Sequence, residues 1–437
     1  MTNNFSITKF KLTTRVSGAS VFPFIRDGVT FTYLIVMLTA NIGYLATRGV
    51  LTAEEVAKQG SIISQATAVL FFGLSIFMQI VDRKSVRRIL VTAAPLVPML
   101  IWVLLSVTWS DFPDASIRRA LRLVVDTTTA ILLAAGYRDQ YRFLRVIYFT
   151  FTIILIADIA LLGVPSLSFT PIGYAGVHES KQAAGIFCLV ALPLFLLAAI
   201  DRRIFPFRII SFSAVLGCLI ILAISLSKSA LGLVPICVIL TLAINFIRRT
   251  KSLTAFVMIL ILAIVALIAI LIIVSIGFDE ILKVTVGDPT LTGRDQIWDY
   301  SLSLFSQSPL LGHGYGAVWN VGVFSVLQLP EMSESFVLTG GQNGYLDVMA
   351  ESGIVGLSLA MIFLASVLYR LLVRMPHEEF KEINLIAIYT FFAITLEDMF
   401  ETNIFRSGAG FWIYFLLITH AAMFVARAPD VGSNGRG

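Results

Sequence analysis

Charge is scarce in this chain. Of its 437 residues, 14% are Asp, Glu, Lys or Arg, against roughly 25% in an average soluble domain. A soluble protein of this length folds as two or three domains, each needing a polar skin, and the polar sequence for such skins is absent. Cysteine is scarce too. Cys188, Cys218 and Cys237 all lie within apolar runs; they read as small core residues, which excludes a disulfide scaffold and leaves no metal-ligand spacing. Collagen-like repeats and disorder are excluded by composition, and the lack of an internal repeat disfavours an inverted-repeat transporter. No segment shows the alternation of outer-membrane strands. A cleaved signal peptide is not expected either, because about 28 polar-to-mixed residues precede the first apolar run.

What the chain has is apolar sequence: 57% of it, with a mean hydropathy of +0.89. A bilayer core needs roughly 20 helical residues per crossing. Twelve segments qualify: 29–46, 62–81, 89–107, 121–137, 143–163, 182–200, 209–226, 230–247, 253–277, 344–369, 383–400 and 408–426. The fourth, interrupted by Arg122 and Asp126, and the short eleventh are the weakest. The basic residues argue for both. With all twelve crossing and the N-terminus cytoplasmic, 22 of the 32 Lys and Arg fall on the cytoplasmic side, as the positive-inside rule requires. Removing one span inverts every later loop. The expected organisation is a cytoplasmic segment 1–28, spans one to nine over 29–277, a large periplasmic loop 278–343, spans ten to twelve over 344–426, and a cytoplasmic tail 427–437. The net charge of +5 is thus read as orientation, with no nucleic acid partner. The lipid bilayer is the expected surrounding.

The long loop is the exception among short connections, and long loops in compact proteins are functional or disordered. Thr292-Gly293-Arg294-Asp295 fits a helix start, and Ile297, Trp298, Leu302 and Phe305 continue it toward Pro309. Arg294 then sits in a first turn, where backbone amides and a guanidinium suit a phosphate; a solvated surface arginine is the plainer alternative. Gly312-His313-Gly314-Tyr315-Gly316 allows a tight backbone path. His313 is either a base or a packing residue. Gly340-Gly341-Gln342-Asn343-Gly344-Tyr345-Leu346-Asp347 leads into span ten, with Asp347 and Glu351 one helical turn apart. Acidic residues near a helix start are favourable in their own right, yet ionisable groups at a membrane edge carry a functional expectation.

The same external layer holds Trp109, then Arg118, Arg119 and Arg122, which break the positive-inside rule and suggest an anionic ligand. Lys228 lies between two spans there. His178-Glu179-Ser180-Lys181-Gln182 opens span six, and Glu397, Asp398, Glu401 and Arg406 close span eleven. Cations suit a lipid-linked pyrophosphate; carboxylates and aromatics suit sugars.

Four stretches carry a family resemblance: Ser106–Ala120 (S-x-x-W-S-x-x-P-x-x-S-x-R-R-A), Thr292–Trp298 (T-G-R-x-x-x-W), Pro309–Gly316 (P-L-x-G-x-G-x-G) and Gln342–Leu357 (Q-N-G-Y-L-D-x-x-A-E-x-G-x-x-G-L). They resemble the O-antigen ligase/polymerase superfamily, and within it the ExoQ-type exopolysaccharide polymerases. The resemblance implies an all-α polytopic membrane fold of about twelve helices, related to glycosyltransferase C-type enzymes, at the bacterial inner membrane with both termini cytoplasmic. It implies polymerisation of undecaprenyl-pyrophosphate-linked oligosaccharide repeat units at the periplasmic face, with no cofactor, no metal and a polysaccharide chain-length regulator as a partner. The alternatives are ligation of the glycan to another acceptor and, ranked lower, a flippase for lipid-linked saccharides.

Carried over residue by residue, the family's pyrophosphate-binding arginine falls on Arg294 and its basic residue before span eight on Lys228. Arg118, Arg119 and Arg122 join them as pyrophosphate candidates, and Trp109, Asn343, Tyr345 and Glu397 are candidates for sugar contacts. The family's proposed histidine base falls on Gln342. An amide cannot take a proton at ordinary pH. Three readings follow, in order: the base is His313, Asp347, Glu351 or Glu397; no base is needed, since a dissociative displacement of pyrophosphate asks little of the nucleophile; or the activity is altered.

Overall fold

The computed structural model describes residues 22–39, 62–82, 86–170, 173–249, 294–319, 321, 340–373 and 381–425. The expected ninth span (253–277), most of the long loop with Thr292 and Gly293, and the segments 1–21 and 426–437 lie outside the described residues.

The described chain is helical: α1 (Phe22–Leu38), α2 (Ile62–Val81), α3 (Val86–Ala93), α4 (Val97–Leu105), α5 (Pro113–Ala135), α6 (Gln140–Leu161), α7 (Lys181–Ile200), α8 (Arg208–Ser225), α9 (Lys228–Arg249), α10 (Arg294–Gln307), α11 (Gly344–Val373), α12 (Lys381–Glu397) and α13 (Gly410–Val425). One antiparallel ladder, Phe169–Thr170 with Gly173–Tyr174, precedes α7. Eleven of the twelve expected segments fall on these helices. Among the described residues, six helices are long and apolar enough to cross a membrane, or seven if α3 and α4 count as one bent span. α5 falls outside that group because of its four charged residues between Arg118 and Asp126.

Two expectations are altered by physical detail. Span three is broken, with α3 and α4 meeting at 73°. Pro95 and Pro98 flank the break, and proline removes a helical donor and clashes with the preceding turn. Span ten continues to Val373, but Gly353 (φ 65°, ψ −172°) interrupts it. The break leaves carbonyls without helical donors, and other segments supply them. His313 N donates to Ala350 O (3.1 Å), Gly314 N to Glu351 O (2.9 Å) and Trp102 Nε1 to Ser352 O (3.0 Å). Ile354 N donates in turn to Pro309 O (2.9 Å). The Pro309–Gly316 run therefore fits into the kink, and Gly312, Gly314 and Gly316 all adopt positive φ to follow that path.

α13 is the central helix, buried from Phe411 to Val425, with α5 and α12 packed along it. The helix ends gather into two layers. One joins Arg26 to Gly136 O and Asp82, Arg142 to Asp27, Arg88 to Phe424 O, and Arg203 to Asp201 and Glu382. The other holds the starts of α5, α7, α9, α10 and α11 and the end of α12, where the expected external residues meet.

Candidate active site

In this second layer Arg294 is the first residue of α10. Its Nε donates to Gln342 Oε1 (2.9 Å) and its Nη2 to Glu401 Oε1 (3.0 Å). Gln342 sits in left-handed backbone conformation (φ 50°), uncommon for a side chain other than Asn or Asp, and its carbonyl accepts from Trp298 Nε1 (3.4 Å). Thus the turn before α11 and the first turn of α10 are tied together, and the guanidinium is held on two sides. Lys181 opens α7 and Lys228 opens α9, and both interact electrostatically at the same place: Lys181 with Arg294, Lys228 and Glu401. Three helix starts, each with orphan amides and a positive dipole end, bring three cations together.

Two carboxylates face them. Glu397, the last residue of α12, is fully buried and accepts from Ser229 Oγ (2.7 Å) through Oε1. Glu401 lies in the loop after α12, largely buried, and burial pushes its carboxyl up to about 7 while Arg294 pulls it down. Asp398 is a structural residue. Its Oδ1 accepts from Asn403 N (2.6 Å) and Ile404 N (3.0 Å), closing the 398–404 turn, and burial raises its carboxyl well above the usual range.

Beside this cluster, Arg119 reaches from α5 to the carbonyls of Gly316 and Trp319 (the latter 2.7 Å). Asp347 accepts from Trp319 Nε1 (2.8 Å), Gly341 N (3.0 Å) and Thr402 Oγ1 (2.7 Å), with Arg406 Nη1 at 3.9 Å. Glu351, one turn on, is also buried. Arg119, Asp347 and Glu351 therefore share a second polar site next to the Arg294 cluster.

The other candidates are placed differently. Arg122 pairs with Asp126 (2.6 Å) and reaches Ser64 O (2.5 Å), and Arg118 is exposed. His313 has both ring nitrogens engaged, Nε2 with Leu304 O (2.9 Å) and Nδ1 with Asp111 (2.7 Å), so it holds α10 to the 106–112 turn. Asn343 Oδ1 caps α11 by accepting from Tyr345 N (3.1 Å) and Leu346 N (3.2 Å). Tyr345 OH donates to Thr395 O (2.8 Å), and Trp109 donates to Leu311 O (3.2 Å) while packing on Trp102.

Residues 213–361 match the family model described as O-Antigen ligase. The chain is also 24% identical over 333 residues to the Exopolysaccharide production protein ExoQ of Rhizobium meliloti (strain 1021), covering 72% of this chain and 73% of that protein. The chain is similar to the O-antigen ligase family over residues 213–361 and to ExoQ over most of its length. It is a membrane protein, and the matched region contains Lys228, Arg294, Gln342, Asp347 and Glu351. Glu397, Glu401 and Arg406 follow it in sequence, and Lys181 and Arg119 precede it. Sequence reasoning had noted Lys181, Glu401 and Arg406 only as members of polar stretches. Their signal was position, each beside the end of an apolar run, but nothing local linked them to Arg294.

Proposed function

We propose that this protein polymerises polyprenyl-diphosphate-linked oligosaccharide repeat units into an exopolysaccharide at the external face of the inner membrane. The observation that carries the reading is the convergence of Arg294, Lys228 and Lys181 beside the buried carboxylates Glu401 and Glu397. The likeness to an exopolysaccharide production protein supports reading the product as an exopolysaccharide.

In this mechanism the three cations bind the diphosphate. The bond between the anomeric carbon and the phosphate oxygen breaks, its electron pair passes to the diphosphate, and the cations stabilise the charge that develops there. The acceptor hydroxyl oxygen bonds to the anomeric carbon and its proton passes to a carboxylate. Glu401 suits that task better than Gln342, because a general base works best with a pKa near the ambient pH and its carboxyl lies at about 7. Diphosphate sharing Arg294 weakens the ion pair that holds Glu401 down, so substrate binding itself raises the basicity of the carboxylate.

The transporter alternative calls for ionisable groups along a path through the spans. The two main candidates have structural partners. Asp126 binds Arg122 and Gly408 N (3.1 Å). Asp158 binds His178 (3.2 Å) and Val177 N (2.9 Å). The test is Arg294→Ala in cells that make the polymer. Polymer is lost and single lipid-linked repeats accumulate at normal protein level; polymer of ordinary length in that variant overturns the assignment.

A further inference from the structure

The layer opposite the Arg294 cluster has a corner where α6 and α8 begin and the 201–207 turn joins α7 to α8. Four exposed arginines gather there, Arg145, Arg202, Arg203 and Arg208. Arg145 Nε donates to Tyr141 O (3.2 Å), and the Tyr141 ring lies 4.5 Å from the Arg203 guanidinium. Arg208 Nη2 donates to Ile200 O (3.1 Å), just before the turn that carries Arg202 and Arg203. The carboxylates of the corner are committed. Asp201 and Glu382 both accept from Arg203 (2.8 and 2.9 Å), and Asp139 caps α6 through Tyr141 N (2.9 Å). Among the described residues, Arg145 and Arg208 donate to main-chain carbonyls and pair with no carboxylate.

Apolar surface continues from these guanidiniums along both helices. α6 and α8 run side by side: Tyr148 OH lies 3.0 Å from Ser211 Oγ, and a Cβ at Gly217 would sit 3.2 Å from Ile159. Phe205 fills the corner between them, stacked on Tyr148 (4.7 Å between ring centroids) and edge-on to Phe149 (5.8 Å) and Phe207 (5.6 Å). Phe149 is exposed one turn beyond Arg145, followed by Ile153 and Ile156. Beyond Arg208, α8 exposes Ile209, Phe212 and Leu216. Exposed apolar faces and basic span ends are each ordinary in a membrane protein. Their combination here is specific: two guanidiniums without a carboxylate flank an aromatic cluster, at the head of two adjacent apolar faces. The guanidinium fork matches phosphate oxygens, and the faces below it suit acyl chains.

We propose that this corner is a binding site for an anionic glycerophospholipid, with Arg145 and Arg208 holding its phosphate and its acyl chains lying on the exposed faces of α6 and α8. Charge complementarity selects that occupant. A second copy of this chain, docked by the same face, would set these arginines against their own equivalents, and a free phosphate would leave the apolar surface unused. A lipid bound here bridges α6 and α8 and stabilises the folded protein by mass action. The site lies in the other layer from Arg294 and does not rest on the reaction proposed above.

The test uses the purified full-length protein in a non-ionic detergent, with phosphatidylglycerol, phosphatidylcholine and inorganic phosphate as probes. Native mass spectrometry reads binding, and the melting temperature reads its effect. Phosphatidylglycerol binds and raises the melting temperature, while phosphatidylcholine and inorganic phosphate do neither. The double variant Arg145→Gln with Arg208→Gln weakens phosphatidylglycerol binding by about thirtyfold. Arg145→Lys with Arg208→Lys falls between that variant and wild type, because lysine keeps the charge and loses the fork; this pair carries the comparison where the Gln pair does not fold. Arg87→Gln, which removes an exposed arginine of α3 in the same layer, leaves binding unchanged. Equal binding of the two phospholipids, or binding indifferent to both double variants, overturns the site. So does equal loss in Arg87→Gln, which would report bulk charge alone. Displacement of the lipid by inorganic phosphate, or a dimer of the chain carrying no lipid, overturns it as well.

Discussion

Arg294 shows how a single residue depends on its neighbours. Gln342, where the family resemblance leads one to expect a histidine, holds the Arg294 Nε at 2.9 Å. Its role is then to orient a cation, and Gln342→Ala lowers the polymerisation rate by about tenfold, while Gln342→Glu retains an acceptor for the guanidinium and stays closer to wild type. Chain assembly from a synthetic lipid-linked repeat separates the two. Glu401 carries a pH signature. Its carboxyl at about 7 lies above the ordinary carboxylic range, so it is protonated below that pH and ionised above it. A base must be ionised to act, so the rate rises with pH through about 7. Glu401→Gln removes that limb and lowers the rate at pH 8; a pH profile that keeps its limb in the variant assigns the proton elsewhere. The role of Gln342 in orienting Arg294 was not legible in the sequence, because the residues are 48 positions apart. Arg294 itself was legible, since a helix start can be read locally.

At the scale of elements, the kink in α11 is the device that builds the Arg119 site. Only the break at Gly353 frees the carbonyls that receive the Pro309–Gly316 run, and that run carries the Gly316 carbonyl to Arg119. A Cβ at Gly353 meets the Leu310 backbone, and its φ of 65° disfavours any other residue. Gly353→Ala therefore costs on the order of 3 kcal/mol, read as a lower melting temperature and loss of polymer together. Gly232, with nothing within 4 Å of an added Cβ, is the control: Gly232→Ala leaves both unchanged. The helices themselves were legible from apolar runs, with most ends set within four residues, but α1 (Phe22–Leu38 against 29–46) and the start of α5 (Pro113 against 121) were displaced by seven or eight. The breaks at 94–96 and Gly353 were not, because a mean over apolar residues does not register lost backbone hydrogen bonds.

For the whole molecule, the alternation of basic residues anticipated the sorting of helix ends into two layers. Arg26, Arg88, Arg142 and Arg203 meet partners in one layer, while Arg119, Lys181, Lys228, Arg294 and Arg406 belong to the other. Reporter fusions test the orientation proposed for them: a phosphatase inserted after Leu226 is active if this layer faces the periplasm, and one inserted after Phe205 is inactive. By itself, the sequence determined that the chain is a mostly helical membrane protein, where its described apolar helices lie and which of its rare charges sit at their ends, because the cost of placing charge and bare backbone in lipid is local and large. Only the tertiary structure decided which of those charges meet. The grouping of Arg294 with Glu401, and of Arg119 with Glu351 and Arg406, comes from packing α5, α10, α11 and the loop after α12 against one another, and no local preference along the chain encodes such contacts between distant residues.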